Sequence, residues 1–181
     1  DAQESRGLGD VYKRQGMNMN PQLHYQIEQY FFRKCELCDA QDWDAYLALF
    51  SEDSEFHLPQ WESEHSYTLD PKKGMSLIYY ANRSGLEDRV FRIRTGKAAS
   101  TIPMPRTLHN ISNLRIAELP GGQLQVKANW TTLYHRLGQS EHFFGYATYH
   151  LRPSGDSFVI TRKHVVLLND TINSVLDFYH L

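Results

Sequence analysis

Cys35-Glu36-Leu37-Cys38 is a CxxC pair, the spacing used by redox dithiols and by one half of a zinc site. These are the chain's two cysteines, so no second pair can complete a four-ligand site. Both fall on the apolar stripe of a helical segment, where cysteine acts as a small core residue. Iron chemistry makes other demands. A Rieske cluster takes two Cys and two His, and neither cysteine has a histidine two residues on. A mononuclear iron site takes two His and one carboxylate around open positions. The chain has nine histidines. His57 and His65 flank a stretch with Glu62 and Glu64, and His135, His142 and His150 lie on adjacent segments of strand pattern. None shows compact helical ligand spacing, so hydrogen bonding or solvent contact is their expected use. There is no nucleophile elbow, P-loop or dinucleotide fingerprint, and Pro120-Gly121-Gly122 reads as a turn. An acid–base dyad stays open, because Tyr, His and Asp are plentiful and sequence alone cannot pair them.

The elements that must position these residues are legible from periodicity. Asn20-Pro21 is a helix start, with Asn as cap and Pro at the first helical position. Leu23, Ile27, Tyr30, Phe31, Cys35 and Cys38 then share one helix face. A short second helix carries Trp43, Tyr46, Leu47 and Phe50, with Asp42 as its cap. Glu55 to Leu58 and Leu77 to Ala81 read as short strands, separated by a polar loop from Pro59 to Pro71. A loop of this length in a compact domain is usually functional or partner-bound. Ser84 and Glu87 have capping-box spacing ahead of Leu86, Val90 and Ile93, and Thr95-Gly96 ends that helix. A second loop, Lys97 to Arg106, contains Pro103 and Pro105. The last third alternates with period two. Strands are expected at Leu108 to Leu119, Leu124 to Tyr134, Glu141 to Arg152 and Ser157 to Leu168, joined by turns.

Helices first and a meander last imply an α+β fold, with the helices on one face of a curved antiparallel sheet. Phe143, Ala147, Tyr149 and Leu151 point one way, and Phe144 and Tyr146 the other. Phe158 and Ile160 are expected to oppose Val159, Val165 and Leu167. Three short helices cover one face only. Apolar residues on the second face therefore imply a partner subunit.

Composition sets further bounds. A chain of 181 residues favours one domain, and at this size a domain buries roughly 70% of its unfolded surface. The net charge of −2 argues against a phosphate-backbone binder. Arg89, Arg92, Arg94 and Lys97 are the densest basic cluster, yet Glu87 and Asp88 sit beside them, as on a solvated, partly ion-paired helix face. No apolar run approaches the roughly 20 residues of a membrane span, and no signal-peptide pattern is present. With too few cysteines for a disulfide framework, a reducing cytoplasm is the expected compartment. Asp1 to about Gly16 has no apolar period and reads as a non-native leader, leaving a single domain over residues 17–181.

Four segments, in order, carry a resemblance. They are Trp43 with Leu47-Ala48-Leu49-Phe50-Ser51-Glu52-Asp53; Gly85-Leu86-Glu87-Asp88-Arg89-Val90 with Arg94-Thr95-Gly96; Pro105-Arg106-Thr107-Leu108-His109-Asn110-Ile111-Ser112-Asn113; and Leu168-Asn169-Asp170 with Leu176-Asp177-Phe178-Tyr179. From about Met17 to Leu181 the chain resembles the small (β) subunits of aromatic-ring-hydroxylating, Rieske-type dioxygenases. Within that family it looks most like the anthranilate branch, with the benzoate branch next. The resemblance implies an NTF2-like (cystatin-like) α+β cone and a structural subunit without a catalytic centre. It also implies assembly with a large (α) subunit and other β subunits in a ring of three α and three β. On the same resemblance the Rieske 2Fe–2S centre, the mononuclear Fe(II) and most of the substrate pocket are expected in α, with electrons from NADH arriving through a separate reductase. No catalytic, cofactor-binding or metal residue is carried over to this chain. Arg106, His109 and Asn113, at the start of the meander, are the expected partner-interface residues; local turn bonding is the competing use. The alternative readings are a free-standing NTF2-like dehydratase or isomerase, with Tyr46, His57 and Tyr134 lining a pocket, or a ligand-binding module. A cone plugged by Trp43, Phe50 and Trp130 counts against the enzyme.

Overall fold

The computed structural model describes residues 20–181. The expected leader, and the start of the domain at Met17, lie outside the described residues. Helix α1 spans Pro21–Asp39, and the Asn20 side chain caps it by accepting from the backbone N–H groups of Gln22 and Leu23. Ile27, Phe31, Lys34 and Cys38 recur at intervals of four, three and four and form its buried stripe. The cap contributes about 1 kcal/mol. Burial of Ile27 and Phe31, both fully enclosed, contributes about 1.5–3 kcal/mol each, so tertiary packing holds this helix. Gln41 turns the chain in a left-handed conformation at φ 58°, and Asp42 caps α2 (Trp43–Ala48) at the Ala45 N–H. No helix of the described residues is long and apolar enough to cross a membrane.

Six strands follow: β1 (Phe50–Pro59), β2 (Ser76–Tyr80), β3 (Arg106–Glu118), β4 (Leu124–Arg136), β5 (Gln139–Ser154) and β6 (Ser157–Leu167), with α3 (Ser84–Arg94) between β2 and β3. They form one sheet in the order β2-β1-β6-β5-β4-β3. All neighbours are antiparallel except β1 and β6, which pair in parallel. The sheet curls round the helices, with α1 lying against β3. Its inner face carries Phe56, Leu58, Val126, Trp130, Tyr134, Phe143, Tyr149 and Val165, which join the helix side chains in one core. This is the α+β cone.

The short β1 expected over Glu55 to Leu58 is longer at both ends, because β6 pairs with it on the side away from β2. The capping box at Ser84 and Glu87 does not form. Ser84 is already helical, and its N–H and hydroxyl both bond the Asn82 side chain. In β6 the expected opposition of Ile160 to Val165 and Leu167 is overturned. A bulge between His150 and Leu151 pairs Arg162 and Ile160 with adjacent β5 residues, leaving Thr161 as the extra residue. One extra residue inverts the alternation. Ile160, Lys163, Val165 and Leu167 therefore all point inward, and all are buried.

The second face of the sheet is covered in part by the chain itself. Within the long loop after β1, Trp61 donates its ring N–H to the Leu167 carbonyl at 2.7 Å, and Tyr67 stacks on His164. That loop is bound to its own sheet over β1 and β6. The other loop is tied down by Arg136, whose guanidinium donates to the carbonyls of Ala99, Ile102 and Pro103.

Candidate functional site

Inside the cone, the last residue of α1 meets the inner face of β3. Asp39 accepts hydrogen bonds from the Thr107 hydroxyl at 3.0 Å, the His109 backbone N–H at 2.9 Å and His109 Nδ1 at 2.5 Å. The other ring nitrogen of His109 lies 3.9 Å from Cys38 Sγ. Cys38, His109 and Asp39 thus form the order of groups found in a cysteine nucleophile triad. Burial works to raise the Asp39 carboxyl, but the bonds from His109 and Thr107 outweigh it and hold the pKa below its ordinary value. Burial depresses His109 in spite of Asp39. The pair is therefore a carboxylate accepting from a neutral imidazole. Burial also pushes the Cys38 thiol up to about 12, against the pull of Lys34 and Lys163. A thiol held that high supplies almost no thiolate at neutral pH. The array is a buried structural cluster.

Two lysines complete the interior. Lys34 lies over the rings of Tyr46 and Tyr149, and Lys163 over those of Phe56 and Tyr149. Lys163 donates to the Leu181 carbonyl at 3.1 Å. Burial, and then the Lys34 charge, lower Lys163 well below the ordinary lysine range. Burial opposes the Lys34 charge too, but Tyr149 and Tyr46 offset this and hold its pKa up. Burial and the neighbouring ammonium thus act together on Lys163. Lys34 had a sequence signal, since it falls on the stripe of α1. Lys163 had none, because the β6 bulge turns it inward.

Residues 177–181 close the mouth of the cone. Phe178 packs on Trp43 and Tyr46, and His180 stacks on Tyr134 with ring centroids 5.0 Å apart. Arg89 grips the Asp177 carboxylate with two N–H groups. Trp43, Phe50 and Trp130 are buried in the same core. The expected pocket residues separate. Tyr46 and Tyr134 are packed inside, whereas His57 sits on the outer face, since Phe56 and Leu58 on either side of it point inward. There His57 bonds Ser76 Oγ at 2.9 Å and meets His164 edge to face.

The other histidines do not converge. His65 is exposed beside Glu64, His135 bonds Ser140, and His150 approaches Gln125. Among the described residues no group of three His, Cys, Asp or Glu could hold a metal ion. Of the expected interface residues, Arg106 and Asn113 are exposed on β3 and the His109 side chain is turned inward to Asp39. Arg106 lies beside the outward-facing Leu108 and Leu133. With Phe144 and Tyr146 these are the exposed apolar residues of the outer face, and the covering loop reaches its edge where the Tyr67 hydroxyl lies 3.4 Å from that of Tyr146; Leu108 is 54% exposed and Leu133 47%.

A cone with a packed interior and an open apolar sheet face is the build of an assembly subunit. The family model for the ring-hydroxylating beta subunit matches residues 33–174. The anthranilate 1,2-dioxygenase small subunit of Acinetobacter baylyi is 58% identical over 163 residues, which cover 90% of this chain and all of that one. The crystal structure of the benzoate 1,2-dioxygenase beta subunit from Burkholderia mallei superposes with a TM-score of 0.72 at 39% identity, covering 86% of this chain and 95% of that chain. A scytalone dehydratase-like protein of Novosphingobium aromaticivorans matches at TM-score 0.61 and 14% identity, over 86% of this chain and 92% of that one, and shares the NTF2-like fold alone. The chain belongs to the ring-hydroxylating beta subunit family. It is the β subunit of a ring-hydroxylating dioxygenase, an oxidoreductase.

Proposed function

We propose that this chain is the non-catalytic scaffold subunit of a cytoplasmic anthranilate 1,2-dioxygenase, with benzoate as the second substrate candidate. The observation that carries the substrate is the 58% identity along the whole of the Acinetobacter baylyi small subunit. The scaffold role rests on the sealed cone and the inert thiol within it. In this reading the large subunit holds the Rieske cluster and the mononuclear iron, a separate reductase supplies electrons from NADH, and three copies of each subunit alternate in a ring. The β subunit holds neighbouring α subunits in register so that electrons can cross between them. Arg106 and Asn113 flank the contact, and His109 acts from within by fixing β3 to α1. Arg106→Ala is expected to weaken assembly; unchanged assembly removes that residue from the interface.

Co-expression with a large subunit, followed by sizing, iron quantification and turnover, tests the proposal. A stable mixed complex with all iron in α, converting anthranilate to catechol, is the expected result. Iron bound to isolated β, or turnover of a small molecule without α, overturns it.

A further inference from the structure

We propose that the notch at the β3 bulge is the recognition point for acidic side chains of the large subunit. The inference rests on the assembly role proposed above. The register of β3 against β4 shifts between Ser112 and Arg115, and Asn113 there adopts φ 55°, a left-handed conformation rare for residues other than glycine. The bulge opens a concavity of about 550 Å³ on the outer face, lined in part by Asn113, Arg115, Lys127, Asn129, Tyr146 and Thr148. Arg115 and Lys127 are direct cross-strand partners, and both are exposed. Among the described residues neither takes part in an ion pair.

Like charges placed directly opposite each other weaken a sheet. Carboxylates arriving from another chain would turn that repulsion into two bridges, with the arginine fork able to donate two parallel N–H bonds to one of them. The amides of Asn113 and Asn129 lie at the same notch and offer neutral donors. Tyr146, on its wall, joins the notch to the apolar patch of Leu108, Leu133 and Phe144. An apolar contact area with a basic recess at its side fits a partner whose docking surface is apolar with an acidic projection. Such charges set the register and rate of association more than its strength.

The test uses full-length chain and measures binding to the large subunit at several salt concentrations. Arg115→Glu/Lys127→Glu is expected to bind at least roughly tenfold more weakly and to lose most of the salt dependence. Arg92→Glu/Lys97→Glu makes the same charge change away from the sheet and should bind as wild type does. Near-ultraviolet circular dichroism checks that each variant is folded. If the notch variant keeps its affinity and salt dependence while Leu133→Asp weakens binding, the notch assignment is overturned and the assembly role stands. If the notch variant loses only self-association, a second copy is the occupant and the assignment is again overturned. If wild type does not bind the large subunit at all, the assembly role itself falls.

Discussion

Asp39 is the residue on which the cone interior turns. It joins α1 to β3 through three hydrogen bonds, across about 70 positions of sequence. Asp39→Asn keeps the shape but removes the charge and presents an amide N–H₂ to donors. We expect a loss of about 2–3 kcal/mol, read as a lower urea midpoint; an unchanged midpoint would show the dyad to be dispensable. The buried histidines act against the fold at acid pH. His164 is lowered to about 4 by burial, His57 and Arg162, and His180 to about 4 chiefly by burial. The unfolded chain takes up these protons near 6.5. As pH falls from about 6.5 towards 4, the unfolded state gains protons that the fold refuses, and stability is lost. Each histidine accounts for up to about 3 kcal/mol of that loss. His164→Gln should flatten the acid limb of the urea midpoint plotted against pH; an unaltered slope would exclude His164 as a source.

At the scale of elements, the close approach of β5 to β6 depends on Gly145. It faces inward opposite Trp130 on one side and Leu167 on the other. A Cβ built at this position lies 1.9 Å from the Val166 carbonyl oxygen, which is backbone and cannot swing away. Gly145→Ala must part the two strands, and a cost of about 1–3 kcal/mol is expected in thermal or urea unfolding. Wild-type stability in that variant would mean that the sheet yields without penalty. The bulges act on the same scale. The one in β6 brings Lys163 into the core, and the one in β3 opens the notch on the outer face. Neither left a mark in the hydrophobic pattern that periodicity could register, since a bulge is a change of phase between two regular stretches.

For the whole molecule, the decisive feature is the division of the sheet into a filled concave face and a convex face only half covered. The loop carrying Trp61 and Tyr67 seals the β1–β6 side, leaving Leu108, Leu133, Phe144 and Tyr146 in contact with solvent. Leu133→Asp leaves the core intact and places a charge in the middle of that patch. It should leave the urea midpoint within about 0.5 kcal/mol of wild type and abolish co-purification with the large subunit. Retained co-purification would move the interface elsewhere on the molecule. Apolar residues on both sheet faces were legible in the sequence. The division of the outer face between the chain's own loop and a partner was not, because it depends on where one loop lies down.

The sequence by itself determined the order of elements, the Asn20 and Asp42 caps, the meander, the family and the absence of family ligand spacings around Cys35 and Cys38. All of these are local patterns or an ordered series of them, written within a few residues at a time. Tertiary structure alone decided that β1 lies parallel to β6 and that His57 faces outward while Lys163 faces inward. It also decided that His109, expected at an interface, is bound to Asp39 within the cone. These outcomes rest on strand register and on contacts between residues 70 or more positions apart. A one-residue slip in register reverses every side chain beyond it, so the face a residue occupies is settled only when the whole sheet has closed.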